Sequence, residues 1–176
     1  MGTVILGIIV FLVLAFVIYK LSTYVVLINR NFKTEEYTYG DVNSSKKALV
    51  LYAPSMHDSV DIIKKNTVDK LVSKGFSVKV NFPYEDLVYN YNDFDVICYI
   101  SPVYMSKVSS ALCEVMASSN YIKKKVFIIS VGQNMDKKEE LNYMKGLIEK
   151  DNEFSLIKLK KDELKKLNNF IEGALL

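Results

Sequence analysis

From Lys46 to the end of the chain, short apolar runs alternate strictly with longer segments of helical period, and few folds accept that pattern. Alternation of this kind builds parallel strands whose crossovers are helices packed on the sheet. A first strand is expected over 48–53, followed by a helix in which Val60, Ile63, Val68, Leu71 and Val72 recur near 3.6 residues. That helix should stop at Gly75, a residue suited to the position just past a helix end. A second strand is expected over 76–82 and a third over 95–100. The next helix carries the cleanest stripe in the chain, with Val108, Ala111, Leu112, Val115 and Met116 at i, i+3, i+4, i+7 and i+8. A fourth strand covers 126–131. Its helix should begin at Asp136, with Glu139 three positions on as the second half of a capping box, and turn Leu141, Met144 and Ile148 inward. A fifth strand at 154–160 precedes a last helix capped by Asp162, with Leu164, Leu167, Ile171 and Ala174 toward the sheet.

Strand composition orders the sheet. Strands buried on both faces read as continuously apolar, whereas edge strands interpose polar residues. Strands one, three and four are continuous and two and five are interrupted, which gives the order 2-1-3-4-5 in a doubly wound α/β sheet of five parallel strands. In such a sheet ligands bind beyond the carboxyl ends of the strands, where the winding reverses between strands one and three. The loops to interrogate are therefore 54–59, 101–107 and 132–135.

Ahead of this domain, residues 3–19 carry no charge and are almost wholly Val, Ile, Leu and Phe. Crossing a bilayer takes ~20 apolar residues at ~1.5 Å each, and Lys20 can snorkel while 21–28 complete the helix. A cleaved signal peptide would show basic residues before the apolar core and a small-x-small site after it, and neither is present. The expected organisation is a transmembrane helix over 1–29, a linker over 30–45 and one domain over 46–176. Residues 3–28 would contact membrane lipid in a single pass. Lys20, Arg30 and Lys33 lie at or beyond the far end of the span, so the positive-inside rule puts the domain in the cytoplasm at the cell membrane. Cys98 and Cys113 sit where small buried residues belong, in keeping with a reducing compartment.

Composition excludes several functions. Twenty-three basic residues face twenty acidic ones, and Arg30 is the only arginine, a poor endowment for reading nucleic acid. Neither Gly-x-x-x-x-Gly-Lys nor Gly-x-Gly-x-x-Gly occurs, and no His, Cys and carboxylate cluster has metal-ligand spacing.

After the third strand the chain reads Ser101-Pro102-Val103-Tyr104-Met105. Pro102 stiffens the turn, and Tyr104 offers a flat face for stacking. This loop resembles the Gly-Ser-Pro-Val-Tyr loop of flavodoxins and small flavin-dependent reductases, with Ile100 in place of the glycine. The resemblance implies a flavodoxin-like fold, bound FMN, and electron transfer or reduction of a quinone or other small molecule, with a redox partner or quinone as the implied counterpart. It implies ring contacts from Ser101, Pro102, Val103, Tyr104 and Met105, and from Gly132, Gln133 and Asn134 after strand four. The phosphate would be held after strand one by Ser55, Met56, His57, Asp58 and Ser59, the counterpart of the family's Ser/Thr-x-Thr-Gly-Asn-Thr. Here His57 stands for the glycine and Asp58 for the asparagine. A carboxylate beside a phosphate costs on the order of 1 kcal/mol at 4 Å in water and more when dehydrated. Asp58 is also suited to capping the next helix. His57, the only histidine, is either a protonatable phosphate partner or an ordinary loop residue. The alternative function is a flavin-free binding or scaffold module tethered to the membrane.

Overall fold

The computed structural model describes residues 2–28, 36–84 and 87–176. Its elements in chain order are α1 (Gly2–Ile28), β1 (Tyr37–Tyr39), β2 (Lys47–Tyr52), α2 (Ser59–Ser73), β3 (Ser77–Asn81), β4 (Val96–Pro102), α3 (Ser110–Ser118), β5 (Lys125–Val131), α4 (Glu139–Gly146), β6 (Glu153–Leu159) and α5 (Leu164–Leu175). The sheet runs β1-β3-β2-β4-β5-β6. Five strands, β2 to β6, are parallel in the order read from composition. The sixth corrects that reading. Tyr37–Tyr39, inside the stretch expected as linker, pairs antiparallel with β3, so the second parallel strand is not an edge. The crossover from β3 to β4 carries no α-helix among the described residues, only a single 3₁₀ turn at Tyr91–Asp93.

The apolar periods place the core on both faces of the sheet. On one face α2 and α5 cover Val50, Cys98, Phe127 and Ile129 with Val60, Ile63, Leu71, Leu167 and Ile171. On the other, α3 and α4 cover Leu51, Ile97, Tyr99 and Ile128 with Leu112, Met116, Leu141 and Met144. Burial pushes the Cys98 thiol upward and raises that of Cys113 to about 11, the negative charge of Glu114 adding to the second shift. Both cysteines are unpaired in disulfide terms and buried.

Helix ends follow the backbone better than the side chains. At α2 the Gly75 amide bonds the Val72 carbonyl at 2.9 Å and the Phe76 amide bonds that of Leu71 at 3.2 Å, with Gly75 at φ +86°. That is a Schellman closure, which requires the left-handed conformation glycine adopts freely. The three carboxylate caps expected at Asp58, Asp136 and Asp162 do not form. The first of these helices does begin after Asp58, but the other two begin after Lys138 and Glu163, and none has a side-chain cap bond. Near Asp136 the Asn134 side chain accepts the Asp136 amide at 3.1 Å, a local turn that competes with helix initiation.

The helix α1 stands apart from this core. Val4–Ser22 is long and apolar enough to cross a membrane, with a mean hydropathy of 2.9 and none of it buried against the protein. Arg30 and Lys33, which bear on the expected orientation, lie outside the described residues.

Candidate functional site

At the carboxyl end of the sheet, the loops after β2, β4 and β5 meet the end of β6 around a crevice of about 420 Å³. Each loop arrives there for a local reason. The first leaves β2 with the Ala53 amide still bonded to the Ile100 carbonyl at 2.9 Å, which carries the ladder one residue past the strand. Within it the Ser55 hydroxyl donates to the His57 carbonyl. Asp58 turns its carboxylate outward toward the Lys161 ammonium at 3.5 Å rather than onto the amides of α2.

The second loop is shorter than the sequence suggests, because β4 continues through Pro102. Ser101 is consequently fully buried. Its hydroxyl accepts the Ser109 amide and donates to the Pro102 carbonyl, both at 3.0 Å, so it ties the strand to the start of α3 instead of facing a ligand. Beyond it, Tyr104 and Lys107 exchange two amide-to-carbonyl bonds of 2.9 Å each. The residues between them, Met105 at φ 49° and Ser106 at φ 61°, form a two-residue turn of the type that glycine or asparagine normally supplies. Left-handed backbone at each costs ~1–2 kcal/mol. The Tyr104 hydroxyl accepts the Met56 amide at 2.8 Å and so bridges the first loop to the second.

The third loop starts at Gly132, whose amide donates to the Leu159 carbonyl at 3.0 Å. A Cβ there would lie 3.2 Å from Val103 Cβ and 3.6 Å from Lys158 Cε, so the absence of a side chain lets these loops close together. Beneath them lies a buried charge cluster. Lys158 of β6 is bonded to Glu140 Oε1 at 2.8 Å, with the two side chains 3% and 1% exposed. The Ser130 hydroxyl donates to the same oxygen at 2.9 Å, and the Lys158 ammonium also donates to the Lys137 carbonyl at 2.6 Å. Glu140 Oε2 is buried without a hydrogen-bond partner.

Of the residues singled out from sequence, the crevice gathers His57 and Ser59, then Pro102, Val103, Tyr104 and Met105, then Gly132, Gln133 and Asn134. Ser55, Met56, Asp58 and Ser101 are not on its lining. Sequence reasoning missed the basic wall, which Lys137, Lys158, Lys160 and Lys161 supply. The signal was present: Lys158, Lys160 and Lys161 cluster at the carboxyl end of the last strand, the end at which such sheets bind ligands. With aromatic and apolar side chains lining the same space as these cations, the crevice suits a flat ligand that carries negative charge.

A larger concavity, about 800 Å³, lies at the amino ends of the strands. Its lysines at 46, 74, 123, 124 and 125 are interleaved with Asp95, Asp151, Glu153 and Glu172. The charges offset one another there, and no loops converge from a winding reversal, so size alone does not make it the functional site.

No protein-family model matches the chain, nor does any curated protein sequence. Solved structures do match. Oxidised Flavodoxin 2 from Bacillus cereus superimposes with a TM-score of 0.59 at 17% identity, over 73% of this chain and 97% of that one. The flavodoxin of Streptococcus pneumoniae TIGR4 gives 0.58 at 15% identity, over 73% and 97%. An NAD(P)H:quinone oxidoreductase from Methanothermobacter marburgensis gives 0.50 at 12% identity, over 75% and 97%. The chain has a flavodoxin-like fold.

Proposed function

We propose that this chain is a membrane-tethered redox protein that binds FMN in the carboxyl-end crevice. The supporting observation is the crevice: loops from β2, β4 and β5 close on one space of about 420 Å³ whose lining combines Tyr104 and Val103 with four lysines. Binding pockets for cofactors run to ~300–1,000 Å³, largely apolar with a few placed polar groups. The residues fit the group, though not by the usual pattern at its phosphate end. Lys160 and Lys161 bring positive charge where glycine and hydroxyl groups are wanting, and Lys161 offsets the Asp58 carboxylate at 3.5 Å. His57 and Ser59 would hold the phosphate from the other side. Pro102, Val103 and Tyr104 would flank the ring, with Gly132, Gln133 and Asn134 offering amides along its edge.

When bound, FMN supplies the electron and hydride chemistry, and the protein supplies binding, orientation and charge. The buried Lys158 is fixed under the crevice floor by Glu140 and the Lys137 carbonyl, and Ser130 in turn holds Glu140.

The tether reading is supported by α1. The nineteen residues from Val4 to Ser22, apolar except for Lys20 and Ser22, span roughly 28 Å at ~1.5 Å per residue, close to the ~30 Å hydrocarbon thickness of a bilayer. By the distribution of Lys20, Arg30 and Lys33 the domain would face the cytoplasm. A lipid-soluble acceptor such as a quinone is in keeping with that location, and one structural neighbour is a quinone oxidoreductase, a likeness at the level of fold alone.

A second reading, a flavin-free binding module, is favoured by one observation. The Met56 amide is already taken by the Tyr104 hydroxyl. Fluorescence titration of the full chain in detergent separates the two. FMN should bind more tightly than riboflavin, with a Kd in the micromolar range or below (roughly −8 kcal/mol). Asp58→Asn and Tyr104→Phe should each tighten FMN, the first by removing repulsion and the second by releasing the Met56 amide. If FMN does not bind to the wild type or either variant, the flavin-free module stands.

A further inference from the structure

We propose that the rim of the crevice, formed by the turn at 104–107 and the basic residues beside it, is seated on the bilayer, so that the crevice opens onto acidic lipid headgroups. This rests on the tether reading and adds an orientation to it: of the two ends of the sheet, the ligand-binding one is held against the membrane.

If Val4 lies at one boundary of the hydrocarbon, ~1.5 Å per residue puts Tyr19 to Ser22 roughly 23–27 Å across, in the last turn before the opposite boundary and within side-chain reach of headgroup depth. Tyrosine is one of the side chains enriched at that depth. The same turn of helix is where α1 meets the domain. The Ser22 hydroxyl lies 2.8 Å from the Met105 sulfur, and the Lys107 ammonium sits 5.5 Å from the centre of the Tyr19 ring. A turn that touches the helix there is itself within reach of headgroup depth.

The chemistry of the rim agrees with that position. Met105 and Met56 are 58% and 66% exposed, two apolar side chains that gain by leaving water. Lys107 lies two residues beyond Met105, and Lys137 and Lys160 line the same crevice as Met105. Exposed apolar side chains beside lysines are the composition of surfaces that lie in the membrane interface, and each lysine near an acidic leaflet adds attraction that salt screens. The amino end of the sheet lacks this character, because its lysines are interleaved with carboxylates. The occupant that suits the rim is therefore an acidic bilayer, and a ligand for the crevice would arrive along the membrane surface.

The chain contains no tryptophan, so one introduced indole reports alone. Full-chain protein carrying Met105→Trp or Met56→Trp, and Leu176→Trp at the amino end, would be placed in phosphatidylcholine vesicles with and without phosphatidylglycerol and with nitroxide-labelled headgroups. Membrane insertion is scored separately by resistance to alkaline carbonate extraction. The expected result is loss of intensity and a blue shift for Met105→Trp and Met56→Trp, larger with phosphatidylglycerol, and neither for Leu176→Trp. Equal quenching at both ends, or quenching at Leu176→Trp alone, in protein that resists extraction overturns the proposal and leaves the tether standing. Quenching of the rim that ignores phosphatidylglycerol overturns its acidic-headgroup part. Protein that carbonate extracts overturns the tether and this orientation together.

Discussion

The two ends of the sheet carry similar numbers of lysines and have opposite electrostatic outcomes. At the amino end, five lysines share a broad cavity with four carboxylates, and pairs such as Lys70 with Glu172 lie on the surface. At the carboxyl end, four lysines line the crevice, and the one carboxylate that meets the floor, Glu140, is buried beneath it. The difference teaches that a site is marked by how its charges are held, with Lys158 fixed in a buried pair and Lys137 and Lys160 on the same lining, rather than by the volume of a concavity. Buried charges persist only when each is paired, whereas surface pairs are screened and contribute little.

The largest expected effect tests that contrast directly. Glu140→Ala leaves Lys158 buried without its counter-ion and should cost about 3–5 kcal/mol in urea unfolding of the full chain in detergent. Replacing both partners, as Glu140→Leu with Lys158→Met, should recover most of that loss. Glu172→Ala at the other end should leave the unfolding midpoint unresolved from wild type, and a large shift there would break the contrast.

A pH scan comes next and should not distinguish the ends. Tyr99 and Tyr121, buried under α3, have their hydroxyls pushed above the ordinary value of 10.0, chiefly by desolvation, and Cys113 is raised from 9.0 to about 11. The unfolded chain therefore releases these protons at lower pH than the folded one. Their stabilising contribution is complete below about pH 9 and is lost as pH rises toward and beyond 11. Unfolding midpoints should fall over that window with the same slope in wild type and in Glu172→Ala. An unchanged midpoint to pH 11 would mean that these groups are wet.

Smaller effects sharpen the geometry. Gly132→Ala brings a Cβ to 3.2 Å from Val103 and should cost ~1 kcal/mol or more by overpacking the crevice floor. Gly146→Ala, at the end of α4 with open space around it, should instead be neutral or stabilising by a few tenths of a kcal/mol up to ~1. Smallest is Ser106→Gly. It relieves one left-handed residue at the turn but loosens the unfolded chain, for a net gain of a few tenths of a kcal/mol. If thermal unfolding shows that it destabilises, the serine side chain has a contact beyond the turn.

Sequence reasoning reached the parallel sheet because its signals were local and apolar. Val108 to Met116 and Leu141 to Ile148 are buried as their periods require. It missed β1 because the residues of Tyr37–Tyr39 are exposed, so that strand is held by backbone pairing to β3 rather than by an apolar face. The cap expected at Asp58 fails because a short-range rule assigns a carboxylate to its own helix. Asp58 has an ammonium from Lys161, 103 residues away, to turn toward. Loop positions at the crevice were legible from strand ends. Its charge was not, because a lysine in a strand reads as a polar edge unless the Glu140 that buries it, 18 positions earlier, is known to fold over it.

The short antiparallel strand β1 has a mechanical consequence. Tension carried along the chain from α1 would reach the sheet at Glu36 and Tyr37, where the ion pair of Glu36 with Lys79 and the three residue pairs of β1 to β3 stand between that load and the edge of the parallel sheet. Should those pairs peel, β3 would present bare amides and carbonyls to whatever lay alongside, including another molecule of the same protein. The strand acts as a sacrificial latch, the place where pulling would open the domain and where crowding on a surface would begin to join neighbours.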